Sequence, residues 1–127
     1  MIIKPDKRPV FLNLFKIGFP VTAVQSIMHR VFGVCMVFAL PFTIYLFGLS
    51  LESSEGFERV GDILSCTLTK LIAAALVWGL AHHFFAGVRF LLIDIEIGIT
   101  RESARFSSWL VIAAGVVVLL LFLGAVL

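Results

Sequence analysis

Ionisable residues are missing from long stretches of this chain. From Phe106 to Leu127 there is none at all. Cysteine is nearly absent too. Cys35 and Cys66 form no C-x-x-C pair, and no C-x-x-C-H run occurs, so covalent attachment of a c-type haem is not indicated. Both read as small apolar packing residues. There is no internal repeat and no low-complexity tract. The segments between the apolar runs are too short to form a separate soluble domain. No cleavable signal sequence is expected, because charges are spread through Met1 to Lys16 and the first apolar run is too long and lacks a small-residue cleavage site.

What the chain has instead is apolar length. Of its 127 residues, 61% are hydrophobic, and the mean hydropathy is +1.11. A soluble domain is usually about 45–50% apolar. A membrane-spanning helix needs about 20 apolar residues. Three stretches qualify: Val21 to Leu51, Ile63 to Ile93 and Ser107 to Leu127. The expected fold is therefore all-α and integral to the membrane. An N-terminal arm (1–19) precedes a three-helix transmembrane domain (20–127), with helices at about 20–51, 63–93 and 107–127.

Charge placement orients these helices. The arm carries Lys4, Lys7, Arg8 and Lys16, and the second loop carries Arg101 and Arg105, with Arg89 just before it. The first loop carries Glu52, Glu55, Glu58 and Asp62 against Arg59. Lys and Arg in short loops favour the cytoplasmic side. The N-terminus and the second loop are expected there, with the first loop and Leu127 opposite.

Local signals refine the outline. Phe19-Pro20 ends the arm, since Pro suits a helix's first turn. Pro41 inside helix 1 is expected to kink it. Ser50 to Gly61, with Ser53-Ser54-Glu55-Gly56, reads as a turn region. Lys70 can extend back to the outer interface. Trp109 fits an interfacial belt. The second loop is expected over Asp94 to Phe106.

The opening turns of helix 1 are unusually polar: Thr22, Gln25, Ser26, His29 and Arg30. Ser26, His29, Arg30 and Gly33 stand at i, i+3, i+4 and i+7, on one helix face. A lipid-facing Arg near mid-membrane costs about 2.5–3.5 kcal/mol on insertion scales, which favours a partner or a wet cavity. Arg30 supplies fixed charge and a fork suited to carboxylates. Ser26 can donate and accept, and His29 can do both or titrate. Such a group could hold a haem propionate or a quinone carbonyl. It could equally be a basic interfacial helix end, because Arg30 is only about 15 Å along the helix from Pro20.

His82 and His83 lie deeper. Adjacent helical residues point about 100° apart, so the two cannot face one ligand. His83 has Gly79 and Gly87 one turn to either side, leaving a flat slot into which a porphyrin could bring its iron to the imidazole. The alternative is that these glycines serve close helix packing and His83 hydrogen-bonds across helices. His82 lacks the slot and is expected to be a packing or hydrogen-bonding residue. Arg89 and Asp94 end helix 2, either as an interfacial charge pair or with a direct role.

These clusters carry a family resemblance. Arg8-Pro9, Phe19-Pro20 and then Ser26-Ile27-Met28-His29-Arg30-Val31-Phe32-Gly33 resemble the N-terminal pattern of succinate dehydrogenase cytochrome b subunits. In that family a Ser-x-x-His-Arg-x-x-Gly element opens the first membrane helix. His83-Phe84-Phe85-Ala86-Gly87-Val88-Arg89 is similar to the family's His-x-x-x-Gly-x-Arg element in the second. The resemblance covers nearly the whole chain and implies the following. The chain is the large anchor subunit of complex II and forms half of a heterodimeric helix bundle with a second, smaller anchor subunit. One haem b is shared, with His83 as the axial ligand from this chain. His29 and Arg30 lie near the haem propionates. Ser26 and Arg30 line the ubiquinone pocket, together with the partner anchor and the iron–sulfur subunit. The flavoprotein subunit oxidises succinate, linking the tricarboxylic acid cycle to the respiratory chain. This chain binds no flavin, succinate or nucleic acid.

The implied location is the bacterial inner (cytoplasmic) membrane, multi-pass with a cytoplasmic N-terminus, rather than the mitochondrial inner membrane. This chain departs from the family at Phe32, where a small residue is common, and at Phe90, where some members carry His. It also has His82 where Tyr is common, which leaves a swapped ligand role open. A fumarate reductase anchor and a purely structural three-helix anchor without haem are the alternatives.

Overall fold

The computed structural model describes residues 18–126, and within them the chain is four helices with no strand. Residues 1–17 of the arm, with the Arg8-Pro9 signal, lie outside the described residues, as does Leu127. Helix α1 (Val21–Glu52) opens on Pro20, whose carbonyl accepts from Ala23 N at 2.9 Å and Val24 N at 3.1 Å. No side chain caps this end. The helix runs on through Pro41 as one element. Its 32 residues make a rod of about 48 Å, longer than the roughly 30 Å hydrocarbon core of a bilayer.

The expected turn over Ser50 to Gly61 is instead mostly helix. Helix α1 continues to Glu52, and a second helix, α2 (Ser54–Ser65), follows almost at once. The reason is local. Ser53 Oγ accepts the Gly56 N–H at 3.0 Å, an N-cap, and Glu55 adds negative charge to the first turn. Phe57, Val60 and Leu64 then recur at helical spacing, and Val60 is buried. A side chain at Gly56 would run into the carbonyl of Leu49, so only glycine lets α2 fold back this tightly. The Ser-Ser-Glu-Gly run, read as loop composition, is a capped helix start.

Helix α3 (Thr67–Asp94) returns through the bundle. Its end is closed by Glu96 N to Ile93 O and Ile97 N to Leu92 O, both 2.9 Å. Glu96 and Gly98 take left-handed φ of 62° and 77° to reverse the chain. Helix α4 (Arg101–Val126) then starts at Arg101 rather than near 107. Thr100 Oγ1 accepts the Ser103 N–H at 3.3 Å, and Glu102 sits in the first turn, so the charged residues assigned to a loop form the first turns of the helix. Lys70 Nζ bonds Val126 O at 3.2 Å, placing a cation on the last carbonyls of α4.

Helix α3 is central and packs on both α1 and α4. The interior is small and polar. Ala74, Gly79, His82, Ala86 and Arg89 of α3 meet Gln25 of α1 and Ser108, Val111 and Gly115 of α4. The largest fully buried side chains are His82, Gln25 and Ser108, while Phe38, Phe42, Phe47, Leu91 and Leu121 are exposed. Apolar outside with small and polar residues inside is the pattern of helices packed in lipid. Helices α1, α3 and α4 are each long and apolar enough to cross a membrane.

Candidate cofactor and quinone site

The two histidines of α3 straddle α1. His83 Nδ1 donates to the carbonyl of His29 at 2.9 Å. His82 Nε2 approaches the carbonyl of Gln25, one turn earlier, at a longer 3.4 Å. Being about 100° apart, the rings reach α1 from different sides. His82 is fully buried and lies edge-on to Phe32, close to where a side chain on Gly115 of α4 would project. His83 is half-buried on the other side. His82 thus packs inside the bundle, facing the Gln25 carbonyl and Phe32.

The imidazole of His29 stacks on that of His83, with centroids 3.9 Å apart and planes 13° from parallel. Phe90 closes on His29 edge-on at 5.2 Å. Gly33 completes the contact, since a Cβ there would lie 2.9 Å from His83 Cε1. This corrects the expected open slot. A Cβ on Gly79 would meet the Phe32 ring at 2.9 Å, and one on Gly87 would lie 3.9 Å from His29 Nε2. The glycines flanking His83 admit α1, as the packing alternative holds.

What stays open is the outer side of the α1–α3 seam. There His83 lines an apolar groove of about 870 Å³ with Gly33, Met36, Leu40, Val77 and Leu80. The bond to the His29 carbonyl puts the imidazole proton on Nδ1 and leaves the Nε2 lone pair for another partner. Second-shell carbonyls orient metal-ligating histidines in this way.

Arg89 is buried at the junction of all three long helices. Its Nη1 donates to Gln25 Oε1 at 3.0 Å, Nε to Ser107 Oγ at 2.9 Å and Nη2 to the Ala104 carbonyl at 3.1 Å. Every acceptor is neutral. The pair expected with Asp94 is not what Arg89 makes, and Asp94 is exposed. Ser26 is half-buried and Arg30 exposed in the first turns of α1. So the structure brings His29, Gly33 and His83 into one contact. Sequence reasoning noted Gln25 as one of the polar residues opening helix 1 without assigning it a partner, and it passed over Ser107.

Fold and site together define a small polytopic membrane protein with one histidine and an arginine buried between its helices and two further histidines stacked half-buried. Residues 4–122 match the family model for the succinate dehydrogenase/fumarate reductase transmembrane subunit, and the chain belongs to that family. Similar proteins include the succinate dehydrogenase cytochrome b556 subunit of Coxiella burnetii, 30% identical over 91% of this chain and 93% of the relative. The protein of the same name from Paracoccus denitrificans is 29% identical over 95% and 93% respectively. That from Rickettsia prowazekii is 23% identical over 91% and 90%.

Proposed function

We propose that this chain is the large, cytochrome b anchor subunit of a succinate dehydrogenase. In this reading it binds one haem b jointly with a second anchor subunit and carries part of the ubiquinone-reducing site. The observation that supports it most is His83, with Nδ1 held by the His29 carbonyl at 2.9 Å and the ring lining an open apolar groove. His83 would hold the haem iron through Nε2, with a histidine of the partner anchor as the other ligand. The haem supplies a one-electron carrier inside the membrane.

The chain's own residues do the rest. His29 fixes the tautomer and plane of His83, and with Arg30 it offers donors to the propionates. Ser26 donates to a quinone carbonyl, and Arg30 stabilises negative charge as the quinone is reduced. Both lie at the N-terminal end of α1, proposed to be the cytoplasmic face of a bacterial inner membrane. There the iron–sulfur subunit delivers electrons taken from succinate by the flavoprotein.

Gly33→Ala tests the packing of His83 without touching its ligating nitrogen. Its methyl would press on Cε1, so the ring must turn and the Nδ1 bond weaken. A shifted b-haem absorbance maximum or a raised midpoint potential is expected in the variant, because a weaker Nδ1–H bond makes the imidazole a poorer donor to ferric iron. An unchanged spectrum and potential would mean that Gly33 does not seat His83.

The function as a whole is tested by purifying the affinity-tagged chain from its own membranes. Flavin, iron–sulfur clusters and succinate-dependent reduction of a ubiquinone analogue should co-purify. A tagged chain isolated without flavin or clusters contradicts the assignment. A complex that reduces quinone yet has no haem favours the anchor without haem.

A further inference from the structure

Among the described residues, helix α1 begins without a side-chain cap and without an acidic residue in its first turn. The tie comes from within the bundle. Gln25 is fully buried, its Oε1 accepts from Arg89 Nη1 at 3.0 Å, and its backbone carbonyl faces His82 Nε2 at 3.4 Å. Arg89 is in turn fastened to α4 through Ser107 Oγ and the Ala104 carbonyl. Gln25 Nε2, though buried, has no partner among the described residues. The amide is thus engaged through its acceptor end only, the end that meets the guanidinium.

This anchor acts together with the His29 and Gly33 contacts at His83 to place the neighbouring side chains. At about 100° per residue, with Gln25 facing the core, His29 lies about 40° round the helix and Gly33 about 80°. Ser26 follows at about 100° and Arg30 at about 140°. The structure follows that order from core to rim: Gln25 buried, His29 and Gly33 against His83, Ser26 half-buried and Arg30 exposed.

We propose that Gln25, clamped by Arg89, is a positioning residue that sets the rotation of α1 and so aims Ser26 and Arg30 at the quinone. The inference rests on the proposed reading of Ser26 and Arg30 as the quinone edge. Gln25 itself touches no substrate. Gln25→Leu keeps the volume and removes the acceptor. Gln25→Glu keeps the acceptor and strengthens its attraction to Arg89.

The test uses the purified, membrane-derived complex and measures kcat/KM for a ubiquinone analogue, haem absorbance, and succinate oxidation by an artificial acceptor. Gln25→Leu is expected to lower kcat/KM for quinone roughly tenfold, less than the about 10²-fold that a 1 Å misplacement can cause. The haem bands should persist, because the His29 and Gly33 contacts at His83 are not substituted, and dye-linked succinate oxidation should be retained. Gln25→Glu should stay within about twofold of wild type on the same ground.

Wild-type quinone kinetics in Gln25→Leu, with Arg30→Ala impaired, overturns the positioning role and leaves the quinone reading standing. Wild-type kinetics in both variants overturns the quinone reading, and the positioning role falls with it. A Gln25→Glu as impaired as Gln25→Leu also overturns the role. If Gln25→Leu fails to assemble, Gln25→Asn decides, its shorter side chain withdrawing from Arg89. Lowered quinone kinetics with haem intact supports the role, and wild-type kinetics refutes it.

Discussion

Arg30→Ala is expected to lower ubiquinone reduction by about 10²-fold, while succinate oxidation by an artificial acceptor stays close to wild type. The magnitude is that of removing one preorganised donor from a site where negative charge develops. The separation of the two activities follows from where Arg30 sits. It is exposed on the rim of α1, so its removal leaves no buried partner stranded. The helix behind it is held by Gln25, His29 and Gly33, none of which the substitution touches. The lost charge should therefore register at the quinone and not in assembly. Steady-state assays with both acceptors on one preparation measure the ratio. Equal loss of both activities would mean that Arg30 holds the complex together instead.

His83→Ala is expected to remove the b-haem bands from a reduced-minus-oxidised spectrum of the purified complex, whereas His82→Ala should retain them. The two residues are neighbours in sequence and opposites in the fold. His82 is enclosed by Phe32, Gln25 and the α4 residues around Gly115. His83 lines the groove on the outer side of the seam. Loss of His82 should appear as lowered thermal stability of the complex, because large-to-small substitutions at buried positions typically cost 2–5 kcal/mol. Bands that survive in His83→Ala and vanish in His82→Ala would reverse the assignment.

Much of this was legible in the sequence, for physical reasons that differ from residue to residue. The membrane spans are written in apolar length, which needs no knowledge of neighbours. The tie between His29, Gly33 and His83 was half legible. The periodicity put His29 and Gly33 on one face, but only the packed helices show that face turned toward His83. The Gly-His-Gly spacing was read either as a flat slot for a porphyrin or as room for close helix packing. What fills the space is α1, through Phe32 and His29, and helix partners are not encoded in the spacing of one helix.

Arg89 illustrates the same limit. Its nearest acid in sequence is Asp94, but its acceptors come from residues 15, 18 and 64 positions away. Helix α2 was missed for a different reason. Ser, Gly and acidic residues are both loop formers and helix starters. The fold-back onto Leu49 that selects the helix is a tertiary contact.

The measurement that bears most directly on the central claim is rescue at position 83. The complex carrying His83→Gly is purified with and without added imidazole, and its reduced-minus-oxidised spectrum is recorded. If His83 Nε2 is an axial ligand, the b-type bands are weak or absent without imidazole and return when imidazole occupies the vacated place beside Gly33 and His29. Full b-type bands in the His83→Gly complex without imidazole would contradict the claim.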